Sequence, residues 1–293
     1  MAAPGTPVAI GPVWSPDGTR VAFAQGGIVV AGRDGTLRRL TTAPSDGFDV
    51  EPSWSWDGTE IVFRRHSGQA QDLEIVPAAG GPIRALTSDG ATKSRPRWQP
   101  HGTAVLFQTT QAGAGTCVVD SSGGTARRVG GAGSAEWAPD ETAIARGGAG
   151  GLEVVAPDGT GRRELANVNV TDVAWAWDGR RLAFTVATPF PRYGSGRFGI
   201  PIRYDLFAVD RDGTDLTRLA GFEQDTPFDR PATTSPRWWP GGSRLFFRNG
   251  AETWTMNADG SCEQRYAADL QLTDTPTWSP TAAAAAAVAC SAA

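Results

Sequence analysis

Apolar positions along this chain fall in short runs that are cut off by glycine, proline and aspartate. One set reads Arg20-Val21-Ala22-Phe23, Glu60-Ile61-Val62-Phe63, Ala104-Val105-Leu106-Phe107, Arg181-Leu182-Ala183-Phe184 and Arg244-Leu245-Phe246-Phe247, with a degenerate copy at Ala143-Ile144-Ala145-Arg146. A second set follows each of these: Ile28-Val29-Val30, Leu73-Glu74-Ile75-Val76, Cys117-Val118-Val119, Leu152-Glu153-Val154-Val155, Leu206-Phe207-Ala208-Val209 and Thr253-Trp254-Thr255-Met256. Short runs rich in β-branched and aromatic residues suit a half-buried pleated surface, so both sets are read as strands. Glycine turns close the second set, at Asp34-Gly35, Gly80-Gly81, Gly123-Gly124, Asp158-Gly159, Asp212-Gly213 and Asp259-Gly260. A further strand then carries one apolar anchor: Leu40, Leu86, Val129, Leu165, Leu219 or Tyr266. No segment keeps a 3.6-residue apolar period for three turns, so no helix is expected.

A tryptophan opens each of these groups. Trp14-Ser15-Pro16-Asp17-Gly18 recurs as Trp54-Ser55-Trp56-Asp57-Gly58, Trp98-Gln99-Pro100-His101-Gly102, Trp137-Ala138-Pro139-Asp140, Trp175-Ala176-Trp177-Asp178-Gly179 and Trp238-Trp239-Pro240-Gly241-Gly242. A short strand ends at each tryptophan, often with proline two residues before it: Pro12, Pro52, Pro96, Pro236 and Pro276. A period of roughly forty residues, with four strands in each, marks a solenoid or propeller. One four-stranded sheet cannot bury both faces alone, and radial packing of such sheets solves this. The expected fold is an all-β, six-bladed propeller of four-stranded antiparallel blades, forming one domain over residues 1–293. A truncated copy at Trp278-Ser279-Pro280 leaves open a seven-bladed alternative with an incomplete last blade, or a closing segment over residues 278–293. The alanine run from Ala282 to Ala287 departs from the repeat.

Trp-Ser-Pro-Asp-Gly, then Arg-Val-Ala-Phe, then Asp-Gly and Arg-Leu-Thr, resembles the repeat of TolB-like, WD-repeat-like β-propellers. The resemblance covers nearly the whole chain. It implies an extracytoplasmic protein, periplasmic or secreted, although the first residues carry no signal-peptide pattern. For activity it implies little, because the same repeat serves interaction scaffolds, regulatory domains of prolyl-oligopeptidase-type peptidases and some carbohydrate-active proteins. TolB itself carries an α/β domain before its propeller. No such segment is read here, so TolB's own partners are not carried over.

Composition narrows the classes. A formal net charge of −4 over 293 residues lacks the basic footprint of nucleic-acid binding. No apolar run is long enough to span a bilayer, so no membrane insertion is expected. The chain has three cysteines and two histidines, with no Cys-x-x-Cys pair, which argues against a zinc site; no cofactor is expected. Cys117 is read as a buried small side chain. Cys262 and Cys290 fall near the point of closure, and a disulfide between them would pin the weak C-terminal segment; mass measurement after alkylation, with and without reductant, distinguishes it from two thiols.

Strand alternation places the loops between second and third strands, and those between blades, on one side. The tight turns lie on the other. Long loops on a rigid scaffold tend to carry function. The two longest lie on the same side and in adjacent repeats: one runs from Pro189 to Arg203, the other from Phe222 to Pro231. Their arginines and aromatics are the residue types of binding hot spots. The candidate ligand or partner residues are Phe190, Arg192, Tyr193, Arg197, Phe198, Arg203, Asp225, Phe228, Asp229 and Arg230. Arginine receives carboxylate or phosphate in a bidentate fashion; alternatively these arginines pair with Asp225 and Asp229. Asp46, Asp49 and Glu51 put three carboxylates on the same side, a set of hard oxygen ligands without the twelve-residue calcium-loop pattern. No nucleophile elbow is present, and His66 and His101 fall on opposite sides, so no catalytic residues are assigned. The leading expectation is a non-catalytic binding or scaffold module that presents its loop-bearing face to a protein partner or an acidic ligand. Two others stand beside it: a carboxylate-dependent enzyme acting on a polysaccharide or other polymer, and a structural subunit of a cell-envelope assembly.

Overall fold

The structure is a computed structural model that describes residues 10–110, 114–189, 202–221, 233–239, 242–249 and 252–266. They divide into two compact units, the first ending at Ala132 and the second starting at Gly133. The first unit holds three sheets: β1 (Ile10–Trp14), β2 (Arg20–Ala24), β3 (Ile28–Gly32) and β4 (Leu37–Arg39); β5 (Phe48–Trp54), β6 (Glu60–Ser67), β7 (Ala70–Pro77) and β8 (Arg84–Ala85); β9 (Lys93–Trp98), β10 (Ala104–Thr109), β11 (Gly115–Asp120) and β12 (Arg127–Gly131). The second holds three more: β13 (Ser134–Trp137), β14 (Ile144–Gly148), β15 (Gly151–Val155) and β16 (Arg163–Ala166); β17 (Val170–Trp175), β18 (Arg181–Pro189), β19 (Ile202–Asp210) and β20 (Thr217–Ala220); β21 (Thr233–Trp238), β22 (Arg244–Asn249), β23 (Glu252–Asn257) and β24 (Gln264–Arg265). Every sheet is a four-stranded antiparallel meander in chain order. The fold is all-β, of the six-bladed propeller class, with no helix among the described residues. Residues 278–293, on which the seven-bladed alternative rests, lie outside the described residues.

The tight turns have a common chemistry. Ser15 Oγ donates to Asp17 Oδ1 at 2.6 Å, and the Arg20 N–H donates back to Ser15 Oγ at 2.9 Å. Ser55 and Asp57 repeat this with Glu60. In the turns between third and fourth strands, Asp34, Asp120, Asp158, Asp212 and Asp259 each accept the N–H two residues on, at 2.8–3.0 Å. These bonds hold the carboxyls ionised below their usual range: Asp17 is lowered to about 2, first by the Ser15 hydroxyl and then by the Thr19 N–H. The hydroxyl two residues on lowers Asp34, Asp120, Asp212 and Asp259 in the same way. A carboxyl whose folded pKa is depressed adds stability above its unfolded value, and that stability is lost as pH falls toward the folded value. The urea midpoint is therefore expected to drop between about pH 4 and about pH 2, less steeply when Asp17 and Asp34 are replaced by Asn. Equal slopes for the variant and the parent would remove the turns as the cause.

Within each unit, adjacent sheets bury a shared apolar layer. Sheets one and two enclose Ala22, Ile28, Trp54, Ile61 and Phe63. Sheets two and three enclose Leu73, Ile75, Trp98, Val105 and Phe107. In the second unit, sheets four and five enclose Leu152, Trp175, Leu182 and Phe184, and sheets five and six enclose Leu206, Trp238, Leu245 and Phe247. The repeating tryptophan fastens one sheet to the one before it. Its indole N–H donates to the carbonyl just before the preceding tryptophan: Trp54 to Val13 at 3.1 Å, Trp175 to Glu136 at 3.3 Å and Trp238 to Ala174 at 3.2 Å. Trp98 departs from this and donates to Gly102 at 3.2 Å. Five of the six opening tryptophans are buried, but Trp14 is 38% exposed. Trp14, which opens the first sheet, thus differs from the five later copies.

First strands of successive sheets lie side by side within each unit. Four of them carry a β-bulge three residues before the tryptophan. The residue there adopts a left-handed backbone: Gly11 (φ 61°), Glu51 (φ 57°), Arg95 (φ 52°) and Ser235 (φ 53°). Glycine takes this conformation freely, whereas an L side chain costs about 1–2 kcal/mol. The fourth sheet breaks the pattern differently. Its second strand has Arg146 where others place phenylalanine, and Arg146 pairs across the register with Glu153. The ion pair is 2.5 Å long, and both residues are buried, at 4% and 2% exposure. Exposed Arg162 also reaches Glu153.

Candidate functional site

In the first unit the loop-bearing ends of the sheets carry a dense set of charges. The second strand of sheet two runs past Phe63 into Arg64-Arg65-His66, and its register sets Arg65 opposite Asp49 on one side and Asp72 on the other. Arg65 grips Asp49 in a bidentate pair, Nε to Oδ1 at 2.7 Å and an Nη to Oδ2 at 2.8 Å, with its other Nη 2.8 Å from Glu74. The bond to Asp49, then the charges of Asp49 and Glu74, raise the Arg65 pKa against the cost of its burial. Burial lifts Glu74 above the usual carboxylate range, although Arg65 opposes it. The Thr41 hydroxyl donates to Asp49 at 2.5 Å and accepts the Ile28 N–H at 2.8 Å, which ties the pair to sheet one.

Sheet three repeats the device with the charge reversed. Lys93 occupies the position of Asp49, five residues before the tryptophan, and is 1% exposed. Its ammonium contacts Asp89, lies 3.4 Å from Asp72 and donates to the Ala91 carbonyl at 2.9 Å. The Thr87 hydroxyl donates to Asp72 at 2.9 Å and accepts the Leu73 N–H at 3.0 Å.

A second, more open group lies along the same end of sheet two. Arg64 donates to Gln71 at 2.7 Å and pairs with Glu51 at 3.1 Å. The other oxygen of Glu51 accepts the Arg95 N–H at 2.6 Å. Phe48, 42% exposed, stacks on His66 with centroids 4.6 Å apart and planes 6° apart. The Arg64 guanidinium sits 5.5 Å from the Phe48 ring centroid. Arg64 Nε and His66 Nδ1 are buried atoms without a hydrogen-bond partner.

Two of the three carboxylates singled out around Phe48 are thus spent on arginines. Asp49 and Glu51 serve ion pairs, and among the described residues no group of three His, Cys, Asp or Glu side chains is arranged to hold a metal ion. His66 pairs with Gln71 at the end of β6, while His101 sits in the turn after β9, its ring 6.4 Å from Trp56. They lie at opposite ends of their sheets. Cys117 is a buried free thiol whose pKa burial raises. Cys290 lies outside the described residues, and so does the proposed bridge to Cys262.

Of the candidate binding residues, Arg203 is described. The fifth-sheet hairpin extends further than its sequence suggested, with Thr188 opposite Arg203 and Pro189 opposite Ile202. Arg203 Nε donates to Asp205 at 2.7 Å, and Arg218 holds the other Asp205 oxygen at 2.8 Å. Its carboxylate partner therefore comes from its own strand. Phe190, Arg192, Tyr193, Arg197, Phe198, Asp225, Phe228, Asp229 and Arg230 lie outside the described residues. Sequence reasoning missed Arg64, Arg65 and the Arg146–Glu153 pair. The signal available was a charge at a strand position where sister copies place an apolar residue, with an opposite charge at the register partner.

Comparison with known proteins fits this architecture. No curated protein sequence matches the chain. Among solved structures, an oligogalacturonate lyase from Vibrio parahaemolyticus superposes with a TM-score of 0.65 at 12% identity, over 90% of this chain and 79% of that one. A putative TolB from Agrobacterium tumefaciens gives 0.55 at 15% identity, over 74% and 82%. TolB from Acinetobacter baumannii gives 0.55 at 17% identity, over 86% of this chain and 61% of that one. At such identities the likeness is one of fold. The sequence itself matches the TolB β-propeller domain over residues 3–180, more than half its length. The chain belongs to the TolB β-propeller family.

Proposed function

We propose that this chain is a non-catalytic binding module that offers the loop-bearing ends of its sheets to a protein partner or an acidic ligand. The observation that carries the reading is the state of its carboxylates: Asp49, Glu51 and Asp205 are each held by an arginine. An acid pair for hydrolysis needs one carboxyl free to donate a proton and another free to act as base or nucleophile. Membership of the TolB β-propeller family, whose repeat serves interaction scaffolds and extracytoplasmic proteins, supports this reading. Among the described residues no helix is long and apolar enough to cross a membrane. The envelope-subunit reading is a special case of the same proposal, with the partner a fixed neighbour.

The fold match to oligogalacturonate lyase favours a second reading, an enzyme acting on an acidic polymer. Against it stand the two histidines of the whole chain, set at opposite sheet ends, which cannot build a shared metal cage. Two measurements separate the readings. Incubation with oligogalacturonate is expected to yield no unsaturated product by ultraviolet absorbance. Capture from an extract of the source organism is expected to retain a specific partner on the intact protein and to lose it on the Arg192→Ala, Arg197→Ala, Arg203→Ala triple variant. Turnover, or the same captured set on both proteins, would overturn the binding-module reading.

A further inference from the structure

We infer that Arg95 is a binding residue, held on the β9 bulge to receive the carboxylate of an acidic peptide segment. The inference rests on the binding-module reading and supplies it with a residue and a ligand chemistry in the first unit.

Four first strands adopt a left-handed backbone at this position, and glycine fills it in one of them. Gly11 fills the equivalent place in sheet one, and Arg95 adopts the same left-handed conformation at φ 52°. At the equivalent place in sheet two the side chain has a structural task, since the Glu51 carboxylate holds Arg64 and the Arg95 N–H. The bulge does not need the guanidinium to stay in place. It is fixed through the main chain, by the Arg95 N–H bonded to Glu51 at 2.6 Å, while Arg64 steadies the other oxygen of Glu51. Pro96 follows and is buried. The Arg95 side chain is exposed, and among the described residues it makes no hydrogen bond or ion pair. Bulges commonly re-aim a side chain beside a functional site.

The surroundings define what fits. A run of contacts leads from the Arg95 backbone through Glu51 and Arg64 to the part-exposed Phe48 ring, which stacks on His66. The ledge thus offers the Arg95 guanidinium at one end and the part-exposed Phe48 ring at the other. Arg64 is already neutralised by Glu51, so one guanidinium remains to be matched. A single carboxylate near an apolar side chain satisfies that demand, and arginine receives it through two parallel N–H bonds. A polyuronate carries a charge on every sugar and would press further charges against Glu51. An acidic peptide carries one where it is wanted.

The test uses the full chain and short fluorescein-labelled peptides with one Phe-Glu pair in a Gly-Ser background, read by anisotropy. The Phe-Gln isostere and oligogalacturonate are the comparators. The parent is expected to prefer Phe-Glu over Phe-Gln by about tenfold, more strongly at low salt. Arg95→Gly is expected to erase the preference with an unchanged or higher melting temperature, because glycine suits the backbone there. A preference that survives Arg95→Gly overturns the inference. So does an absence of peptide binding by the parent, a tighter Arg95-dependent hold on oligogalacturonate, or a lowered melting temperature that shows Arg95 serving the fold. If Arg95→Gly instead keeps the captured partner that the triple arginine variant loses, Arg95 falls while the binding-module reading stands.

Discussion

Replacing Trp238 by alanine is expected to cost about 3–5 kcal/mol of folding free energy, the range for emptying a large aromatic site in a packed interior. Trp238 is 3% exposed, packs with Leu206, Leu245 and Phe247, and clips sheet six to sheet five through the Ala174 carbonyl. Truncation removes that contact area and also leaves the carbonyl without its donor. Trp14 provides the internal comparison. It opens its repeat in the same way but is 38% exposed, so Trp14→Ala is expected to cost about 1–2 kcal/mol. Denaturant titrations of the two variants, followed by far-ultraviolet circular dichroism, measure the difference. Equal losses would show that the repeat position, rather than burial, sets the energy.

Glu153→Ala is expected to be comparably severe. It takes the Glu153 carboxylate away from an Arg146 guanidinium that is only 4% exposed, and breaking a buried pair from one side costs about 3–5 kcal/mol. Losing the contact to Arg162 adds little, because Arg162 is exposed and solvated. The pair as a whole is another matter. Sheet one places Phe23 opposite Val29 at the same register, so Arg146→Phe with Glu153→Val copies an arrangement that the repeat already accepts. The double variant is expected to recover most of the loss, since well-packed apolar groups often replace a buried ion pair without penalty. A double variant as unstable as Glu153→Ala would mean that the charges organise more than each other.

The repeat made most of the architecture readable before any coordinates. Strand runs such as Arg20-Val21-Ala22-Phe23 and the Ser15/Asp17 turn depend on local preferences and repeat six times with variations, so one weak copy did not obscure the pattern. The fourth copy shows the limit. Ala143-Ile144-Ala145-Arg146 read as degenerate because its compensation, Glu153, lies on the next strand and is visible only once the register is known. The site was less legible for a related reason. Asp49 and Glu51 looked like free oxygen ligands, and only the register of β5 against β6 and the bulge at Glu51 brought Arg65 and Arg64 onto them. A left-handed arginine leaves no sequence signature of its own: Arg95 precedes proline just as Gly11, Glu51 and Ser235 do.

The burial of Lys93 has a practical consequence. It is the one lysine of the chain, and its ammonium is enclosed by Asp72, Asp89 and the Ala91 carbonyl. Reagents that acylate lysine amines, from fluorophore esters to bifunctional cross-linkers, find no exposed lysine on the folded protein, and surface attachment through lysine fails in the native state. Acylation at Lys93 instead becomes a clock. It can proceed only when β9 lifts from its neighbours, so its rate reports how often the third sheet opens, at a single chemically unique atom.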